Sequence, residues 1–172
     1  MKIKAILLVI VAAFVFNIAA QAQSLPRPVR NVELQDLNGR KARLPWWGEK
    51  NLLIFYVDPE VPKQNHDFIT YLENTGRVTG PNIEGFGIVN LKDAVYPNEL
   101  VRKIADARTA KNGATILCDP DHWISSAWRL GDCNNCFVIM LVNKQGQLVF
   151  AHKGEMTKAD QERFIAAADK LR

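Results

Sequence analysis

The chain has 172 residues, of which 48% are hydrophobic, enough to fill one hydrophobic core. Its formal charge is only +4, and lysines alternate with acids without a basic run, so we expect no nucleic-acid partner. The sequence contains no phosphate-binding glycine loop, and we expect no cofactor.

The first residues have the pattern of a secretory signal peptide. Lys2 and Lys4 form a short basic region, an apolar stretch follows from Ile6 to Phe16, and Ala20-Gln21-Ala22 is a small-x-small cleavage pattern. The alternative is a retained anchor, but a spanning helix needs about 20 apolar residues. We therefore predict a signal peptide at residues 1–22 and one exported domain at residues 23–172. We expect that domain in the periplasm or cell envelope, without stable membrane insertion.

The first half of the chain predicts a hairpin followed by strand-helix units. Alternating residues around the Asn38-Gly39 turn indicate an N-terminal β-hairpin, and the unbroken apolar run NLLIFYV is typical of a strand covered on both faces. In chain order the predicted elements are strands at 32–37, 41–44 and 51–57, a helix at 62–73, a strand at 85–91 and a helix at 97–112. In the last helix Leu100, Ile104 and Ala107 fall at helical spacing, as one apolar face would.

The second half predicts further short elements and a closing helix. They are a strand at 115–118, a helix at 121–130, strands at 137–142 and 147–151, and a last helix that ends near Leu171. Thr157 and Asp160 have the spacing of a capping box for that last helix. Asp119-Pro120-Asp121 indicates a turn with a carboxylate cap for the short helix. This order gives an α/β protein with a mixed central sheet and helices on both faces.

Several stretches resemble the thioredoxin-like superfamily. Those that carry the resemblance are 32–39 and 52–56 in the first half, and 118–121, 127–131 and 139–146 in the second. Over about residues 29–172 the chain is similar to the YtfJ-like family of exported thioredoxin-fold proteins. The resemblance implies a thioredoxin-like fold, but a fold does not by itself define an activity.

One departure from the superfamily concerns the usual active site. Redox-active members carry Cys-x-x-Cys where strand 51–57 runs into the next helix, because the helix N-terminus stabilises a thiolate. Here Glu60 and Lys63 occupy those two positions. The resemblance therefore implies that the usual chemistry is absent from its usual place. It also predicts a binding surface, formed by Asp58, Pro59, Glu60, Lys63 and Phe137.

A second pair of cysteines, Cys133 and Cys136, precedes the apolar strand 137–142 and allows three interpretations. The first is a structural disulfide, as in many exported proteins. The second is an exchangeable, redox-active disulfide, with Lys63 or Arg129 favouring a thiolate. The third is a zinc site, composed of Cys118, His122, Cys133 and Cys136.

Two hypotheses for function follow from these patterns. The first is a non-catalytic accessory protein that binds a protein, a peptide or a small ligand at the surface formed by residues 58–63 and 133–137. The second is a thiol-disulfide oxidoreductase. In that hypothesis Cys133, which is farther from the apolar strand, attacks a substrate disulfide and Cys136 resolves the mixed disulfide.

Overall fold

The computed structural model describes residues 24–78 and 80–172. The predicted signal peptide, residues 1–22, lies outside the described residues. Within the described part of the chain, no helix is both long enough and apolar enough to cross a membrane.

The described residues contain eight strands, which form one mixed sheet. They are β1 (Arg27–Pro28), β2 (Glu33–Gln35), β3 (Lys41–Arg43), β4 (Asn51–Val57), β5 (Ile83–Asn90), β6 (Ile116–Asp119), β7 (Phe137–Val142) and β8 (Gln147–Lys153). Their spatial order is β1-β8-β7-β4-β5-β6-β2-β3. β4 pairs in parallel with β5 and antiparallel with β7. β2 and β3 pair antiparallel, which confirms the predicted N-terminal hairpin.

Four helices are present among the described residues. They are α1 (His66–Thr75), α2 (Asn98–Asn112), α3 (Trp123–Ala127) and α4 (Lys158–Asp169). Alternate residues of β4 divide the core between the two faces of the sheet. Ile54 packs on the first face with Ile124 of α3, and Leu53 packs on the second face with Phe68 of α1 and Phe164 of α4. The mixed sheet flanked by helices is the predicted α/β architecture.

Helix α1 begins later than the predicted start near Pro62, so that prediction is wrong. The intervening residues form successive turns, in which the Val61 N–H donates to the Asp58 carbonyl at 3.1 Å and the Gln64 N–H donates to the Val61 carbonyl at 3.1 Å. Asn65 then adopts a left-handed conformation, with φ at 63°. The buried side chain of Asn65 donates to the Gly154 carbonyl at 2.9 Å. This hydrogen bond fixes the turn to the residue that directly follows β8.

Helix α2 is confirmed, but it buries a different face from the one that its apolar spacing indicates. Leu100 and Ile104 are 45% and 62% exposed, whereas Val101 and Ala105 are buried. Val101 packs with Leu91 and Cys118. The helix is oriented by Arg102, whose guanidinium donates to the Asp36 carbonyl at 2.7 Å.

Both predicted helix caps are confirmed. The Asp160 N–H donates to Thr157 Oγ1 at 3.2 Å, and the Thr157 N–H donates to Asp160 Oδ2 at 2.8 Å, which together form the capping box of α4. Asp119 is fully buried and accepts hydrogen bonds from the backbone N–H groups of Trp123 and Ile124 at 2.8 and 3.0 Å. These bonds satisfy donors that have no partner inside α3.

Candidate functional site

The cysteine pair lies in a tight turn between α3 and β7, which we call the cysteine turn (residues 133–136). The Cys136 N–H donates to the Cys133 carbonyl at 3.3 Å, and Asn135 at the third position has φ at 52°. A β-turn of this kind brings its first and fourth Cα atoms within about 7 Å, and disulfides need about 4.4 to 6.8 Å. Both thiols are free in the structure. The backbone therefore holds the two cysteines within reach of a disulfide bond.

The cysteine turn is seated on the loop that follows β4. The Asp58 N–H donates to the Cys136 carbonyl at 3.1 Å, and the Asn135 N–H donates to Asp58 Oδ2 at 2.7 Å. One residue further on, the Phe137 N–H donates to Gln64 Oε1 at 2.8 Å. The two stretches that were predicted to share one surface thus lie against each other, and the Asp58 carboxylate is the link between them.

The other residues of the predicted binding surface lie around this link. Pro59 and Glu60 are half-buried, and Lys63 is exposed. Glu60 Oε1 accepts a hydrogen bond from the Val95 N–H at 3.0 Å, which ties the loop before α2 to the same region. Within the described residues, no hydrogen bond or ion pair joins the Lys63 ammonium to either cysteine.

The two thiols differ in their surroundings. Cys133 is only 2% exposed and belongs to the larger core cluster, whereas Cys136 is half-buried. Burial raises the pKa of the Cys133 thiol to about 11, although the positive charge of Lys153 opposes this shift. Sequence reasoning missed Lys153 because it lies on β8, away from the cysteines in the chain. The pairing of Lys153 with Val138 of β7 brings it back towards them.

The four residues of the zinc interpretation do not come together. Cys118 is fully buried beside Leu91 and Val101, on the face of the sheet opposite the core cluster that contains Cys133. His122 pairs with Asp93 instead, with 2.8 Å between Nε2 and Oδ2. Among residues 24–78 and 80–172, no three side chains of metal-ligating type are grouped as a metal site requires.

Asp58 and Glu60 form a pair of neighbouring carboxyl groups beneath the cysteine turn. The Asp58 side chain is fully buried, and its Oδ1 accepts the Glu60 N–H at 2.9 Å. Glu60 Oε2 is buried without a hydrogen-bond donor. The hydrogen bond that a protonated Glu60 can donate to Asp58, followed by burial, raises the pKa of Glu60 because both favour its protonated form.

Glu60→Gln is expected to flatten the dependence of stability on pH. The raised pKa means that the folded state holds a proton more tightly than the unfolded state. This contribution is complete below the ordinary glutamate pKa of 4.5 and is lost as the pH rises through the raised value. A glutamine amide donates to Asp58 at every pH, so the variant should be more stable than the wild type at neutral pH. Urea unfolding at a series of pH values between 4.5 and neutral measures how the free energy of unfolding changes with pH.

The matched control for this prediction is Glu162→Gln, which removes a carboxylate from the exposed surface of α4. It should leave the pH profile of the free energy of unfolding unchanged. Parallel profiles for wild type and Glu60→Gln would show that the carboxyl pair is not coupled.

A groove of about 460 Å³ borders the cysteine turn on the α3 side. Seven residues line it: His122, Ser125, Ser126, Arg129, Gly131, Asp132 and Cys133. His122 and Arg129 both have left-handed backbone conformations, with φ at 56° and 50°. No sequence pattern indicates this groove, because it depends on how the chain turns at the two ends of a five-residue helix.

Known structures share this architecture. One match is a DsbF homologue from Corynebacterium diphtheriae, with 15% sequence identity over 86% of this chain and 88% of that one and a TM-score of 0.61. A second match is a peroxiredoxin-like protein from Aquifex aeolicus, with 9% identity over 87% of this chain and 88% of that one and a TM-score of 0.58. A third match is the pneumococcal exposed lipoprotein thioredoxin Etrx1 from Streptococcus pneumoniae, with 16% identity over 80% of this chain and 98% of that one and a TM-score of 0.55. No protein-family model and no curated protein sequence matches the chain. The chain has a thioredoxin-like α/β fold, as its sequence predicted.

Proposed function

We propose that this protein is a thiol-disulfide redox protein in which Cys133 and Cys136 form a reversible disulfide. The observation that carries the proposal is the cysteine turn, whose closing hydrogen bond between Cys136 and Cys133 holds both thiols within reach of one bond. The turn is seated on the loop after β4, where redox-active members of the superfamily carry their cysteines. Structural similarity to proteins that are named thioredoxin and peroxiredoxin-like supports the same chemistry.

The burial of Cys133 defines the roles of the two thiols in this proposal. Cys136 is the more exposed, so it attacks the substrate disulfide, and Cys133 resolves the mixed disulfide from within the core. This reverses the order that was expected from sequence, where Cys133 was the attacking thiol. The thiolate is the nucleophile, and burial disfavours it at Cys133.

We also propose that the domain acts outside the cytoplasm. Residues 1–22 have the pattern of a signal peptide, and a structurally similar protein is named as an exposed lipoprotein. Disulfides form and persist in oxidising compartments, so a disulfide between Cys133 and Cys136 is compatible with this location. Membership of the YtfJ-like family stays a prediction from the sequence resemblance.

The reduction potential of the cysteine pair tests the redox proposal. The mature domain is equilibrated in a series of thiol-disulfide buffers, alkylated and analysed by mass spectrometry. A value between about −270 and −120 mV is expected, in the range of exchangeable disulfides. A value below about −300 mV would identify a structural disulfide and leave the non-catalytic binding hypothesis in its place.

The control for the potential is Cys118→Ala. Cys118 is fully buried on the other face of the sheet, so its removal eliminates the third thiol without touching the cysteine turn. The potential of the variant should equal that of the wild type.

A further inference from the structure

The charge distribution around the groove is not explained by the redox chemistry alone. Arg129 lines the groove, and within the described residues its guanidinium has no acidic partner and no hydrogen bond. Isolated arginines of this kind are suited to bind carboxylates, because the planar guanidinium matches two oxygens at once.

A second arginine stands close to the first. Arg27 lies on β1, half-buried, and its Nε is buried without a hydrogen-bond acceptor. Burial and the positive charge of Arg129 both lower the pKa of Arg27. The segment that follows β1 is held in place by Trp128, whose Nε1 donates to the Arg30 carbonyl at 2.8 Å. Two guanidinium groups therefore share one region, and in the described part of the chain no carboxylate forms an ion pair with either.

Two acidic side chains near the groove each have a hydrogen-bond partner. Asp132 Oδ1 accepts the Asn134 N–H at 3.0 Å, and Asp93 Oδ2 pairs with His122 Nε2 at 2.8 Å. Lys153 adds a further positive charge, since its Nζ donates to the Asp132 carbonyl at 2.6 Å. An anion in the groove would meet the unpaired guanidinium of Arg129, with Lys153 and Arg27 adding positive charge nearby, and one lining carboxylate, Asp132.

We propose that this groove binds the carboxylate end of a small disulfide and so selects the substrate of the cysteine turn. The proposal rests on the redox function proposed above. Arg129 and Cys133 line the same groove, so a small disulfide whose carboxylate is held at Arg129 lies next to the cysteine turn, which ends at Cys136. A volume of about 460 Å³ accommodates a small molecule rather than a folded protein.

Disulfide exchange at the cysteine turn proceeds in two steps. The Cys136 thiolate attacks one sulfur of the substrate, the substrate S–S bond breaks, and one thiolate leaves. Cys133 then attacks the Cys136 sulfur and releases the second thiolate, so the protein gains a disulfide as the substrate becomes two thiols. The two cysteine protons end on the two product thiols.

A charge series of small disulfides tests the proposal with pre-reduced protein in single turnovers. Dithiodipropionate carries carboxylates, hydroxyethyl disulfide is neutral, and cystamine carries ammonium groups. Each rate constant is divided by the rate with dithiothreitol, which removes intrinsic differences in reactivity. The wild type is expected to favour dithiodipropionate over cystamine about tenfold, as one or two charge-assisted hydrogen bonds would produce.

Substitutions assign this preference to the groove. Arg129→Gln should lower the rate for dithiodipropionate roughly three- to tenfold more than it lowers the rate for hydroxyethyl disulfide. Arg108→Gln is the matched control, because it removes the same charge from exposed α2 on the opposite face of the sheet. It should change neither rate. Equal normalised rates for all three disulfides in the wild type would overturn the proposal and leave the redox function standing.

Glutarate separates failure of the groove from failure of the redox function. If no disulfide reacts at all, the redox function is wrong, and titration with this unreactive dicarboxylate decides the anion site alone. Saturable quenching of tryptophan fluorescence that disappears in Arg129→Gln would support an anion site. No binding of glutarate would overturn it.

Discussion

Cys136→Ser is expected to abolish disulfide exchange, whereas Cys133→Ser is expected to accumulate a mixed disulfide with the substrate. The reason is the unequal burial of the two thiols. With its pKa raised to about 11, Cys133 stays protonated at neutral pH. Cys136 is half-buried and meets the substrate first. Insulin reduction measures the loss of activity, and mass spectrometry under non-reducing conditions detects the adduct.

The reciprocal pattern would contradict these roles. An adduct on Cys133 in the Cys136→Ser variant, with none in Cys133→Ser, would restore the order that the sequence suggested. Full activity in both variants would exclude the pair from the reaction. Cys118→Ala serves as the thiol control, since it should retain wild-type exchange and form no adduct of its own.

Asp58→Ala is expected to destabilise the protein by about 2 to 4 kcal/mol, because it leaves two part-buried N–H groups without an acceptor. These belong to Asn135 and Glu60, which donate to the Asp58 carboxylate at 2.7 and 2.9 Å. The loss should be larger in the reduced protein, where no disulfide holds the cysteine turn closed. Urea unfolding of the oxidised and reduced forms gives both free energies of unfolding.

A linked change in reduction potential follows from that difference. If the reduced form loses more stability than the oxidised form, the Asp58→Ala variant holds its disulfide more strongly and its potential falls. Asp106→Ala, at an exposed position of α2, is the control and should have little effect on stability. Equal stabilities for wild type and Asp58→Ala would show that the turn does not depend on this carboxylate.

Much of the fold could be predicted because its signals are local. The apolar run of β4 predicted a strand buried on both faces, and the spacing of Thr157 and Asp160 predicted the cap of α4. The start of α1 could not be predicted, since a proline at position 62 suits a turn as well as a first helical turn. In α2, the apolar pattern of Leu100 and Ile104 was overridden by packing of Val101.

The candidate site was predicted only as far as the resemblance reached. It placed Asp58 near the cysteine pair, and the structure adds the hydrogen bonds between them. Burial of Cys133 depends on the path of the loop after α3, which has no periodic signal. Arg27 and Arg129 lie about a hundred positions apart in the chain, and no local pattern predicts that their charges affect each other.

The delayed start of α1 at His66 bears on the direction of electron flow. A strongly oxidising disulfide needs a stabilised dithiol, which elsewhere comes from a thiolate at a helix N-terminus. Here no helix begins at the cysteine turn, and burial raises the pKa of the Cys133 thiol, which disfavours its thiolate. The dithiol therefore lacks the thiolate stabilisation that makes a disulfide strongly oxidising. We expect the protein to give electrons to its substrate rather than withdraw them, so a cell would need a separate donor to recharge it.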